Sequence, residues 1–114
     1  MAEPHCLFCR IIRREIPAAV VAESDTALAF RDVNPQAPLH ALVVPKRHVA
    51  SLAESDDAAL VGELSLLAAR IAHEAGYGDT GFRTVVNTGP DAGQTVHHLH
   101  LHVLAGRALG WPPG

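Results

Sequence analysis

His98-Leu99-His100-Leu101-His102-Val103-Leu104 decides the reading of this chain, because polar and bulky apolar side chains alternate through it without a break. A period of two is the mark of a half-buried β-strand. On such a strand His98, His100 and His102 share one face, and Leu99, Leu101 and Val103 point into the core. Same-face neighbours lie roughly 7 Å apart, from a rise of about 3.3 Å per residue. Three imidazoles at that interval do not all close on one small ion. They divide well along an extended polar substrate, or between a substrate and a metal. Groups that titrate near neutral pH on a rigid strand suit proton and phosphoryl chemistry.

Working outward from this strand, 82–87 (Phe-Arg-Thr-Val-Val-Asn) reads as a fourth strand, and 88–95 as a glycine-containing loop between the two. Upstream, Ala59, Leu60, Leu64, Leu67, Ala68 and Ile71 recur at helical spacing as far as Gly76. Ser55 is the expected N-cap of this long helix, with Asp56 and Asp57 favourable to the dipole in its first turn. Residues 40–44 read as a third strand stopped at Pro45, and 32–38 as a loop, since Pro35 and Pro38 cannot donate to a ladder. Residues 19–22 and 26–31 read as two strands joined by the turn residues Glu23-Ser24-Asp25. Residues 7–14 predict a short helix that ends before Pro17. Short connections without repeated βαβ units predict a single α+β domain: a five-stranded antiparallel sheet with one long and one short helix.

The 114 residues make one domain, 1–114, with enough chain for a single core. A formal charge of −3 supplies no basic field for general nucleic-acid binding. The small basic groups Arg10, Arg13, Arg14 and Lys46, Arg47, His48 read as solvated surface. No run of about 18 apolar residues is present, so no membrane span is expected. Met1-Ala2-Glu3-Pro4 opens polar and acidic, unlike a signal peptide. The expected location is the cytoplasm, where the two cysteines stay reduced.

Three chemistries suit the histidine strand: plain surface polarity, a metal site, or covalent catalysis with a neutral imidazole attacking phosphorus. The loop upstream favours the last. Gly93 allows close backbone approach, and Gln94 and Thr95 can donate to phosphate oxygens. Cys6-Leu7-Phe8-Cys9 places two thiols where they can bind one tetrahedral zinc ion, and His48 and His98 would close a Cys₂His₂ site. Two buried structural thiols are the plainer alternative. A redox pair would require a thioredoxin-like βαβ context, which is missing.

The motif 98–104 resembles the signature of the histidine-triad family, His-φ-His-φ-His-φ-φ with φ apolar, at every position. Residues 11–17 (Ile-Ile-Arg-Arg-Glu-Ile-Pro), 32–38, Val86-Asn87-Thr88-Gly89 and Trp111-Pro112-Pro113-Gly114 are similar to the Hint branch of that family. The resemblance implies a HIT-like fold and a hydrolase that cleaves purine nucleoside 5′-phosphoramidates, or related nucleotidyl esters, to the nucleoside monophosphate. It makes His100 the nucleophile, with His102 assisting near the phosphate and leaving group. Gln94 and Thr95 would hold the phosphate and leaving group, and Asn87 would lie beside phosphate and ribose. Asp32 would bind the ribose hydroxyls, Val33 would lie against sugar and base, and Phe8 and Ile12 would line the base pocket. His40 would approach the site, and Trp111 would reach the partner's site in a homodimer. Resemblance to the bacterial members implies that Cys6, Cys9, His48 and His98 would form a structural zinc site, with no metal required for the chemistry. His5, His73 and His97 are expected as solvent-exposed bystanders. Two rival functions stand beside this one: a dinucleoside polyphosphate hydrolase, and a nucleotide-binding or interaction module without turnover.

Overall fold

Seven consecutive residues, Leu39–Pro45, are buried on both faces of one strand, and the rest of the fold is arranged around them. The computed structural model describes residues 3–114; Met1 and Ala2 of the polar opening lie outside the described residues. In chain order the elements are α1 (Leu7–Ile12), β1 (Val20–Glu23), β2 (Ala27–Arg31), β3 (Leu39–Pro45), α2 (Ala58–Ala72), β4 (Phe82–Val85) and β5 (Leu101–Ala105). The strands form one sheet in the order β1-β2-β3-β5-β4, with every neighbouring pair antiparallel. The predicted α+β architecture, five strands with one long and one short helix, is the one observed.

Each face of the sheet buries a different set of side chains, as the strand period dictates. Leu39, Ala41 and Val43 of β3 and Leu101, Val103 and Ala105 of β5 pack under Leu64, Leu67, Ala68 and Ile71 of α2. The opposite face carries Leu28 and Phe30 of β2 with Leu42 and Val44 of β3, and α1 covers it with Phe8 and Ile11. His102 pairs across the ladder with Leu42, so the histidine side of β5 is the α1 side of the sheet. The chain therefore separates a dry helix-backed core from a face where polar groups meet an apolar floor.

Several local expectations are corrected. β5 begins at Leu101, three residues later than the alternation suggests. Ahead of it, Leu99 N–H leaves the ladder and donates to Val49 O at 2.6 Å. The pairing of β3 with β5 stops at Val43 opposite Leu101, and the carbonyl of Pro45 is taken by the His98 ring instead. The N-cap of α2 is Asp57, whose Oδ1 accepts from Leu60 N–H at 3.0 Å. Ser55 lies earlier, at the end of a 3₁₀ turn (Leu52–Glu54), and braces Asp57 N–H with its hydroxyl. The cap thus comes two residues later than expected, and Ala59 is exposed rather than on the packed stripe. The helix opens into a wide turn, His73–Tyr77, where Gly76 takes φ +95°. α1 ends at Ile12, two residues earlier than predicted, and β4 ends at Val85 rather than at Asn87. Among the described residues, no helix is long and apolar enough to cross a membrane.

Candidate active site and metal centre

The backbone dictates the proton positions on three of the histidines. The carbonyl of His98 lies 2.7 Å from His100 Nδ1, and a carbonyl only accepts, so His100 carries its hydrogen on Nδ1 and keeps a lone pair on Nε2. Gln36 N–H donates to His40 Nδ1 at 3.0 Å, which forces the His40 hydrogen onto Nε2. That Nε2 is 2.9 Å from His102 Nδ1, the acceptor, so His102 carries its hydrogen on Nε2. Thus one ring offers a bare nitrogen and its neighbour offers an N–H, with centroids 5.2 Å apart. The roughly 7 Å expected from backbone spacing shrinks because the rings lean together.

Asp32 Oδ2 lies 3.4 Å from His40 Nε2, and Asp32, His40 and His102 are close enough to one another to suggest a metal cluster. The Gln36 amide argues otherwise. With Nδ1 accepting, Nε2 of His40 has no lone pair left for an ion, so this group is a hydrogen-bonded relay.

Phe8 of α1 organises the floor of the site. Its ring meets His100 edge-on at 5.2 Å, His98 at 5.9 Å and Phe30 at 5.4 Å. It also lines a cavity of about 300 Å³ with Ile11, Phe30, Leu42, Asp32 and Val33. The expected base-pocket residue Ile12 is not among the lining residues. It packs, partly buried, against the same apolar cluster, and Ile11 is the isoleucine of α1 that lines the cavity. Val33 is fully exposed at the cavity edge, and Asp32 is held by accepting from Asn34 N–H at 2.8 Å through Oδ1.

The loop before the histidines turns at Gly89 and Gly93, with φ of +83° and +84°, which favours glycine at both positions. Gln94 closes it. Its amide donates to Ala50 O at 2.9 Å and Val96 O at 3.1 Å, and its oxygen accepts from Gly89 N–H at 3.0 Å. Both amide hydrogens are therefore engaged with protein carbonyls rather than directed at a ligand. In this arrangement Gln94 shapes the loop that carries the exposed Thr95. Asn87 is half-buried at the start of the loop, and Trp111 is 82% exposed. His5, His73 and His97 are exposed.

A second cluster lies on the far side of Phe8. His98 Nδ1 is 3.3 Å from Cys6 Sγ, 3.5 Å from Cys9 Sγ and 3.2 Å from His48 Nδ1, and Cys9 Sγ is 3.4 Å from His48 Nδ1. These four residues are close enough to hold a metal ion. A tetrahedral zinc ion, at about 2.3 Å from sulfur and 2.0–2.1 Å from nitrogen, spaces N from S by about 3.5 Å and N from N by about 3.3 Å. The donors match that spacing. His98 also passes the orientation test: its Nε2–H donates to Pro45 O at 2.8 Å, leaving the Nδ1 lone pair aimed at the sulfurs.

Burial pushes His98 and His102 down to about 4, with the neighbouring histidines adding to the effect, and burial also lowers His40. All three are neutral at pH 7. An unfolded histidine takes up its proton near 6.5, so between about 6.5 and 4 the unfolded chain binds more protons than the native one. Stability is therefore complete above pH 7 and is lost as pH falls through that window. Thermal unfolding at constant ionic strength should give a melting temperature that drops steadily from pH 7 to pH 5. A flat profile would contradict the neutral buried rings.

Comparison with known proteins agrees with this geometry. The family model described as HIT domain matches residues 13–109. A HIT-like protein of Synechococcus elongatus is 56% identical over 110 residues, covering 95% of this chain and 96% of that protein. A HIT-like protein of Synechocystis matches at the same identity and coverage. Among solved structures, a HIT family hydrolase from Legionella pneumophila is 45% identical, with a TM-score of 0.94, covering 96% of this chain and all of that one. A histidine triad protein from Clostridium difficile is 46% identical, with a TM-score of 0.93, covering 96% and 97%.

Proposed function

The chain belongs to the HIT domain family, and we propose that it is a Hint-like hydrolase of purine nucleoside 5′-phosphoramidates or related nucleotidyl esters, working through a nucleotidyl-His100 intermediate. The observation that carries this reading is the His98 O···His100 Nδ1 bond of 2.7 Å, which holds the ring with its hydrogen on Nδ1 and turns Nε2 to the attacking role.

In this reading the base enters the apolar cavity against Phe8, Ile11 and Val33, and the ribose diol donates to Asp32. Asn87 and Thr95 flank the phosphate, and Gln94 positions Thr95 by holding the loop to Ala50. His100 Nε2 bonds to the α-phosphorus as the bond to the leaving amine breaks. The amine accepts a hydrogen bond at His102 Nε2–H and takes up one proton from solvent. Water then displaces the histidine and releases the nucleoside monophosphate. His102 serves as an oriented donor toward developing charge, its tautomer fixed through His40 by the Gln36 amide.

Cys6, Cys9, His48 and His98 would hold a zinc ion that ties α1 to the sheet; with four protein ligands it supplies structure and no open coordination position. A homodimer, with Trp111 reaching toward the neighbouring site, and a cytoplasmic location complete the proposal.

Rapid quench of the wild-type chain with adenosine 5′-phosphoramidate, followed by intact-mass analysis and peptide mapping, should trap a nucleotidyl group on His100. Turnover with no such adduct, or an adduct on another residue, would remove His100 from the role. Faster cleavage of a dinucleoside polyphosphate in the same assay would favour the polyphosphate hydrolase reading.

A further inference from the structure

Cys6 and Cys9 differ sharply in access. Cys9 is 1% exposed, whereas Cys6 is half-buried and borders a surface groove of about 440 Å³ shared with His5, Leu7, His48 and Thr95. The two sulfurs lie within 4.8 Å of one another. Cys6 caps α1, accepting from Cys9 N–H at 3.4 Å, so the two residues occupy one tight turn. Residues three apart in such a turn bring their Cα atoms within the roughly 4.4–6.8 Å that a disulfide requires. Neither residue touches the His100–His102 pair directly. Both hold the helix that supplies Phe8 and Ile11 to the nucleotide cavity.

We infer that Cys6 and Cys9 form a peroxide-sensitive thiol pair whose oxidation releases the metal and unfastens α1 from the base cavity. This rests on the metal reading given above. As ligands both sulfurs are thiolates, the reactive form. The Cys6 thiolate, reached through the groove, attacks one peroxide oxygen; the O–O bond breaks, hydroxide leaves, and a sulfenic acid forms. The Cys9 thiolate then attacks that sulfur, expels a second hydroxide and closes the disulfide. Two electrons from the sulfur pair reduce one peroxide to two hydroxides. Two of four ligands are gone, so the ion departs. The new bond lies within α1's own first turn, and no sulfur then links that turn to His48 and His98; only the packing of Phe8 on the His98 ring remains between them. A helix of six residues is then held by the burial of Phe8 and Ile11 alone, and its packing loosens.

The test uses the zinc-loaded full chain treated with hydrogen peroxide. Expected are zinc release, read by a chromogenic chelator, in step with the loss of two thiols; an intact mass short by two hydrogens; and a mapped Cys6–Cys9 link. A sulfenic-acid trap should label Cys6. Affinity for AMP should fall about tenfold, the share that stacking on one aromatic ring contributes. A thiol reductant with zinc should restore it. Retention of both thiols and the zinc, trapping on Cys9, or zinc loss with unchanged AMP affinity would each overturn the inference. A chain that takes up no zinc beforehand fails on the metal reading, and one that binds no AMP beforehand fails on the nucleotide reading. Both failures are visible before peroxide is added.

Discussion

His100→Ala should lower single-turnover cleavage of a nucleoside phosphoramidate by about four to six orders of magnitude, the range seen when a covalent nucleophile is removed. AMP affinity should stay within a few fold. The separation follows from the geometry. In the proposed reading Nε2 of His100 is the attacking atom, whereas the residues that would hold the nucleotide line a separate cavity: Phe8 and Ile11 on α1, Asp32 and Val33 on the loop after β2. His102→Ala provides the internal contrast. It removes a donor aimed at developing charge, so it should reduce the rate by about a hundredfold to a thousandfold and leave the nucleotidyl-His100 adduct detectable. Both variants need a melting curve as control, because His100 packs edge-on against Phe8 at 5.2 Å. A His100→Ala protein with a tenth of wild-type activity would place the nucleophile somewhere else.

The sequence and the structure agree where periodicity carries the information. Leu101, Val103 and the apolar positions of α2 are buried as the spacing requires, and the histidines share the other face. The quartet Cys6, Cys9, His48 and His98 was legible through the family resemblance, which joins a CxxC pair to a histidine after Pro-Lys-Arg and to the first histidine of the triad, and the four residues do lie together. Legibility ended where a partner is set by tertiary structure. Gln94 reads as a phosphate donor, and nothing in the sequence shows that the Ala50 carbonyl, 44 residues away, takes one of its hydrogens. The Gln36 amide fixes the His40 tautomer, yet a backbone N–H leaves no mark in the sequence. Ile12 carries its expected role from the family resemblance, and a six-residue helix has fewer than two turns with which periodicity could tell its cavity-facing side, where Ile11 lies, from its neighbour. The onset of β5 shifted to Leu101 because Pro45 O pairs with a side chain, and periodicity alone does not carry that exchange.

Stripping the metal should damage the fold before the chemistry. α1 makes no strand pairing, and six residues are far below the roughly 12–15 needed for an independent helix, so its position depends on burial of Phe8 and Ile11 and, in the proposed reading, on a Cys₂His₂ tie. Loss of that tie in a domain with its own core removes only part of the binding free energy of a structural zinc site, on the order of 3 kcal/mol. For a domain of this size that corresponds to a fall in melting temperature of about 10 °C or more, measurable by scanning calorimetry with and without a chelator. Hydrogen exchange should localise the change: amides of Leu7–Ile12 lose protection first, whereas those of β3 and α2 keep theirs. Kinetics should divide the same way. The base cavity loses its wall, so KM rises. His100 keeps its bond to the His98 carbonyl within β5's lead-in segment, so kcat changes less. Cys9→Ser should reproduce the chelated state, since it removes the buried ligand that approaches both His48 and His98. A zinc-loaded protein whose melting temperature is indifferent to the chelator, or whose kcat collapses while KM holds, would refute a purely structural ion.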